Sequence, residues 1–215
     1  MPKRALIDQR PWLLASIIAA IAFYFLRDNP IGGLYLILLK GAGVGLLAVY
    51  AFYRARGTDG ILLGSVLAVA SMADMALDID FMVGGALFAL SHIIAIVLYM
   101  RNRRPSTTAT QKAAGITLLV GAPGIALLLS GDPLIAIYAV TLGAMAAAAW
   151  TSRFPRYRVG TGAVMFVVSD WLIFSQSGPI DLAPLPELLI WPLYYIGQFL
   201  IATGVVQTIR ADHES

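Results

Sequence analysis

FMVGGALFALSHIIAIVLYM, residues 81–100, is twenty residues of largely apolar sequence broken by one histidine, His92, and closed by Arg101. A helix of that length rises ~30 Å, which matches the thickness of a bilayer's hydrocarbon core. The stretch therefore reads as a membrane span.

Similar runs lie on both sides of it. Bounded by Pro, Gly or charge, they fall at about 11–26, 30–53, 60–79, 113–131, 133–150, 159–176 and 187–209. In hydrocarbon a spanning backbone must satisfy its own hydrogen bonds, so each is read as a helix. The runs lack the alternation of polar and apolar residues that a membrane barrel needs. With 59% hydrophobic residues, 13% charged residues and a mean hydropathy of +0.80, the chain has too little polar surface for a water-soluble domain. Eight spans consume ~160 residues, so the expectation is one integral membrane domain over 1–215, all-α, a polytopic helical bundle of about eight transmembrane helices. The connectors at 79–81 and 131–133 must be tight hairpins.

Charge tests this count. Thirteen of the fifteen Lys and Arg residues fall before the first span, after the second, fourth and sixth, or in the tail. By the positive-inside rule those segments are cytoplasmic, which places both termini there. The basic N-terminus followed by an apolar run reads as a first span, because further spans follow at once. Trp12, Tyr53, Tyr99, Trp150 and Tyr157 lie near span ends, as interfacial aromatics do. Gly32, Gly33, Gly41, Gly43, Gly45, Gly84 and Gly85 read as places where helices approach closely.

Several function classes drop out. The chain has no cysteine, and its two histidines, His92 and His213, lie far apart, so neither a thiolate nor a paired-histidine metal site is expected. The basic residues sit in interhelical loops and form no stripe interleaved with aromatics, which argues against nucleic acid as a partner.

The residues that hydrocarbon makes expensive carry the functional signal. An ionisable group at a helix centre costs ~2.5–3.5 kcal/mol by insertion scales, so each needs a polar interior and a partner. Five qualify: Lys40, Asp74, Asp78, His92 and Asp170. At ~1.5 Å per residue, Lys40, His92 and Asp170 fall near the midplane and Asp74 slightly further out. Asp78 lies one turn beyond Asp74 on the same face and reads as solvated. Tyr194, Tyr195 and Gln198 reach comparable depth, where interhelical hydrogen bonding is the favoured account of them. Lys40 likewise reads either as a neutralising partner that holds the bundle together or as a site group. A spacing of seven separates Gly64 from Ser71 and Gly162 from Ser169, but the following Asp is offset by two residues between the two, so chance is the better explanation than a repeat.

SMADMALD (71–78), GGALFALSHIIAIVLY (84–99), GAVMFVVSDWLIF (162–174) and YYIGQFLIATG (194–204), taken in that order, resemble the YhhN-like, or lysoplasmalogenase, family of eight-span membrane proteins. The Ser-Asp of the seventh span, the mid-helix His and Tyr-Tyr-x-x-Gln are the most specific parts. Where the family has Gly-Asp and Lys-Pro, this chain has Ala73-Asp74 and Lys40-Gly41.

The resemblance implies hydrolysis of the vinyl ether bond of lysoplasmalogens to a fatty aldehyde and a glycerophospho-alcohol, a step of ether lipid metabolism. Protonation of the β-carbon gives an oxocarbenium ion, which water captures as a hemiacetal. That chemistry calls for one protonated carboxylic acid and a second, ionised group. Asp74 and Asp170 are the expected catalytic pair; a coupled dyad titrates as a unit, so the sequence assigns neither role singly. Lys40 would bind phosphate or tune the pair, and His92 would orient water or relay a proton, with Tyr194, Tyr195, Gln198 and Asp78 in support. No metal or organic cofactor is required. The substrate, a lysophospholipid, would enter from the bilayer, and the expected location is a bacterial inner membrane.

Two other readings remain open at this point. Buried Asp, His and Lys also build proton-coupled transporters or channels, for which GAPG at 121–124 is the one candidate helix break. A non-enzymatic scaffold, whose charges only specify packing, is the third.

Overall fold

The computed structural model describes residues 10–29 and 33–214. Lys3, Arg4 and the expected start of the second span at residue 30 lie outside the described residues. Eight α-helices appear among those described: α1 (Arg10–Leu26), α2 (Leu34–Arg54), α3 (Gly57–Leu77), α4 (Phe81–Arg101), α5 (Ala109–Ser130), α6 (Pro133–Thr151), α7 (Thr161–Ser175) and α8 (Leu185–Glu214). A π-helical turn, Arg156–Gly160, runs directly into α7. Seven helical segments, one of them this turn with α7, are long and apolar enough to cross a membrane, while α1 has 17 residues. The chain is an integral membrane protein built from packed helices.

Local chemistry fixes the helix ends and shifts several expected boundaries. α5 starts four residues before the expected 113, because Thr108 and Gln111 form a capping box that satisfies the first amides. Asp132 caps α6 through the Leu134 amide, with Pro133 in the first turn. Asp80 accepts from the Met82 and Val83 amides at 2.8 and 3.1 Å, which makes the 79–81 hairpin a cap as well as a turn. Gly131 closes α5 in the left-handed region at φ 68°. α3 ends at Leu77 rather than 79, so Asp78 is its C-cap. The seventh span begins at 156 and not 159, and α8 extends from 185 to 214 instead of 187 to 209. GAPG does not break α5, which continues through Pro123.

The fold packs as two compact units. The first comprises the described residues up to Ser91 with those from Ile209 on; the second is His92–Thr208.

In the first unit α1 packs on α2 and α2 on α3. Gly41, Gly45 and Phe52 of α2 meet Met75, Ser71 and Gly64 of α3 in turn, the steps of four and seven residues on one helix answered by the same steps backward on the other. That is antiparallel packing through a small-residue seam. Serines stitch the helices: Ser16 donates to the Gly43 carbonyl at 2.5 Å, Ser71 to Gly41 at 2.7 Å and Ser91 to Val66 at 2.9 Å. Trp12 and Tyr53 stack with centroids 6.2 Å apart, as aromatics at one interfacial level would.

In the second unit α5 and α6 pack closely and both contact α7. At Gly143 a Cβ would lie 2.7 Å from the Leu118 carbonyl oxygen and 3.0 Å from that of Leu119. Pro123 has no N–H for Leu119, so this close approach lies where the α5 ladder is missing a bond. α7 and α8 touch backbone to backbone at Gly162 and Gly197. Seven residues on in α7 and seven back in α8, Ser169 donates to the Ile190 carbonyl at 2.9 Å. The connectors after α4 and α6 pair through an Arg103–Ser152 bridge, with the Arg153 amide on the Asn102 carbonyl at 2.7 Å. Tyr99, expected as an interfacial anchor, is instead fully buried against Phe154.

Candidate functional site

The first unit holds Lys40, Asp74 and Asp78. The bond from Ser71 to the Gly41 carbonyl sets α3 against α2 beside Lys40. Asp74 and Asp78 follow Ser71 at steps of three and four and therefore share its side of α3. Lys40 Nζ meets Asp78 Oδ1 at 2.6 Å and lies 5.9 Å from the Phe23 ring. The Asp78 side chain is 36% exposed and that of Lys40 15%. Asp78, expected to be merely solvated, is thus the ion-pair partner of Lys40. The pairing also places a cation at the C-terminus of α3, where the helix dipole disfavours a lone carboxylate. Asp74, one turn inward, is 2% exposed among the buried Ala70 and Ala73.

The second unit holds Asp170, His92, Tyr194, Tyr195 and Gln198. Asp170 lies in the middle of α7, is 5% exposed, and accepts the Tyr138 hydroxyl on Oδ2 at 2.7 Å. The same Tyr138 ring lies 5.5 Å from the His92 ring, and His92 packs edge-on against Phe166 at 5.2 Å. Phe166 leads to Tyr194 at 5.1 Å and Tyr194 to Trp191 at 5.8 Å. Trp191 in turn stacks on Tyr195 at 6.1 Å. Each such ring pair contributes ~0.5–1.5 kcal/mol beyond its buried area. The aromatic rings therefore hold the acid and the imidazole in a stiff apolar wall. Gln198 is also buried, and its side-chain nitrogen has no hydrogen-bond partner among the described residues.

His92 Nδ1 lies 3.2 Å from Thr141 Oγ1, and that hydroxyl donates to the Tyr138 carbonyl at 2.8 Å. Tyr138 therefore touches the network twice, by its side chain on Asp170 and by its backbone through Thr141. Neither Tyr138 nor Thr141 was singled out from the sequence. Their only signal there is a hydroxyl within an otherwise apolar span, which α6 displays without any charge to mark it.

The structure thus brings Asp170 and His92 together through Tyr138, and Lys40 to Asp78. Asp74 belongs to the first unit and Asp170 to the second. The second arrangement offers a carboxyl with one oxygen fixed by a phenol, an imidazole whose orientation is set by two rings and a hydroxyl, and apolar walls. Such a set suits proton transfer to and from an apolar substrate.

The model of the YhhN family matches residues 35–205, from the start of α2 into α8. No curated protein and no solved structure matches the chain.

Proposed function

The chain belongs to the YhhN family, and from that premise we propose that it is a lysoplasmalogenase-type hydrolase, cleaving the vinyl ether bond of a lysophospholipid drawn from the bilayer. The observation that carries this reading is Asp170, buried in mid-helix with Oδ2 held by Tyr138 and with His92 against the same ring. A vinyl ether presents no charge to a pocket, only a carbon to be protonated. A carboxyl in apolar surroundings is suited to that step, since water does not compete for its proton.

In the proposed mechanism Asp170 delivers its proton to the β-carbon through Oδ1, the oxygen not engaged by Tyr138. Asp74, deeply buried in the first unit, is kept as the second carboxylate that this chemistry calls for. Water adds to the cation, and the hemiacetal collapses to a fatty aldehyde and a glycerophospho-alcohol. In this reading Lys40, paired with Asp78, is a phosphate-binding group, and the chemistry requires no metal or organic cofactor. The loop charges support cytoplasmic termini, and the small size and short loops support a bacterial inner membrane as the location.

The test is direct. Purified protein in detergent is expected to release aldehyde from lysoplasmenylcholine or lysoplasmenylethanolamine. Asp170→Asn and Asp74→Asn are each expected to remove at least ~10²-fold of the rate while the protein stays folded. Full activity in both variants, or proton flux into liposomes without any lipid hydrolysis, would overturn the reading.

A further inference from the structure

We propose that Thr141 is a positioning residue that fixes His92 as its Nδ1–H tautomer, so that Nε2 carries the lone pair that accepts the proton of the attacking water. The second half of this statement rests on the hydrolase reading; the tautomer does not.

A hydroxyl has one proton to donate and lone pairs to offer, whereas a carbonyl oxygen only accepts. Thr141 Oγ1 lies 2.8 Å from the Tyr138 carbonyl oxygen, so its proton is spent there. Toward His92 Nδ1, 3.2 Å away, it has only a lone pair left. Nδ1 must therefore be the donor. A neutral imidazole carries one N–H, which makes Nε2 the lone-pair nitrogen. The Thr141 bond runs back one turn within α6 itself and so is set by the helix rather than by tertiary packing. Contacts to Tyr138 at 5.5 Å and Phe166 at 5.2 Å oppose rotation of the ring to exchange the two nitrogens.

The reaction then balances. Asp170 gives its proton to the β-carbon, leaving a carboxylate and an oxocarbenium ion. As the water oxygen bonds to the cationic α-carbon, the one attached to the ether oxygen, one water proton passes to Nε2 and forms imidazolium. When the hemiacetal collapses, the Asp170 carboxylate takes the hydroxyl proton. The imidazolium returns its proton to the departing glycerol oxygen as the C–O bond breaks. Both side chains end as they began.

The chain has two histidines, which makes the test tractable. Nitrogen-15 NMR of protein labelled at histidine, with His213→Gln to assign the signals, is expected to give the Nδ1–H signature for His92. Thr141→Val is expected to shift it to Nε2–H or a mixture, whereas Thr141→Ser, which keeps the hydroxyl, retains it. Tyr138→Phe also retains it, because the carbonyl that receives the Thr141 proton is untouched. In aldehyde release Thr141→Val is expected to lower kcat ~10- to 10²-fold with KM changed less than about twofold, and Thr141→Ser restores the rate. An Nε2–H or doubly protonated ring in the unmutated protein overturns the inference without any variant having to fold. So does an unchanged signature in Thr141→Val. Absence of aldehyde release from the unmutated protein sinks the hydrolase reading alone and leaves the tautomer assignment standing.

Discussion

Asp78 and Asp170 are both carboxylates within reach of a single donor, yet the donors differ in kind. Asp78 lies at the C-cap of α3, is 36% exposed, and takes an ammonium, Lys40, at 2.6 Å. Asp170 lies in the middle of α7, is 5% exposed, and takes a neutral phenol, Tyr138, at 2.7 Å. At the edge a full charge is tolerable because water shares it, and an ion pair there is worth little. In the interior a phenol orients the carboxyl without bringing a second charge that would itself need solvation. The first arrangement suits holding a charge in place and the second suits moving a proton.

That contrast breaks most severely if the buried acid is dispensable. Asp170→Asn is expected to cost ~10² to 10⁴ in aldehyde release, measured against thermal stability to confirm that the fold survives. Next comes the α7–α8 contact that carries Asp170: at Gly162 an added Cβ would lie 2.6 Å from the Gly197 carbonyl oxygen. Gly162→Ala is expected to destabilise the protein by ~1–3 kcal/mol, read as a drop in the detergent unfolding midpoint; an unchanged midpoint contradicts the close packing. Tyr138→Phe removes only the phenol hydroxyl and is expected to lower kcat by ~10-fold, within the range for a single hydrogen bond between neutral groups. The smallest effect belongs to the edge: Lys40→Met and Asp78→Asn are each expected to change stability by no more than ~1 kcal/mol. A larger loss at the edge than at Tyr138 would reverse the comparison.

The helices were legible because hydrocarbon imposes one rule on every span. A run such as 81–100 needs no partner to be read. Ends were harder, since caps depend on a few side chains. Thr108 and Gln111 extended α5 backward, and Arg156–Gly160, which looks like a basic connector, joins α7 as a π-helical turn with Val159 and Gly160 buried. Asp170, Asp74 and His92 stood out because an ionisable group in a span is costly to insert. Tyr138 and Thr141 did not, since their role depends on the rotation of α6 about its axis. Tyr99 failed for the same reason: a tyrosine near a helix end faces lipid or protein according to packing, and here it faces Phe154. The YhhN family match across 35–205 agrees with the resemblance read from the motifs.

The bridge between the connectors after α4 and α6 has its own consequence for amide hydrogen exchange. The Arg104 amide donates to the Thr151 carbonyl and the Arg153 amide to Asn102, while the guanidinium Nε atoms of Arg104 and Arg153 bind Ser152 O and Asn102 Oδ1. In deuterated buffer these two loop amides should retain their protons far longer than that of Ser106, forming a slow-exchanging island outside the helices.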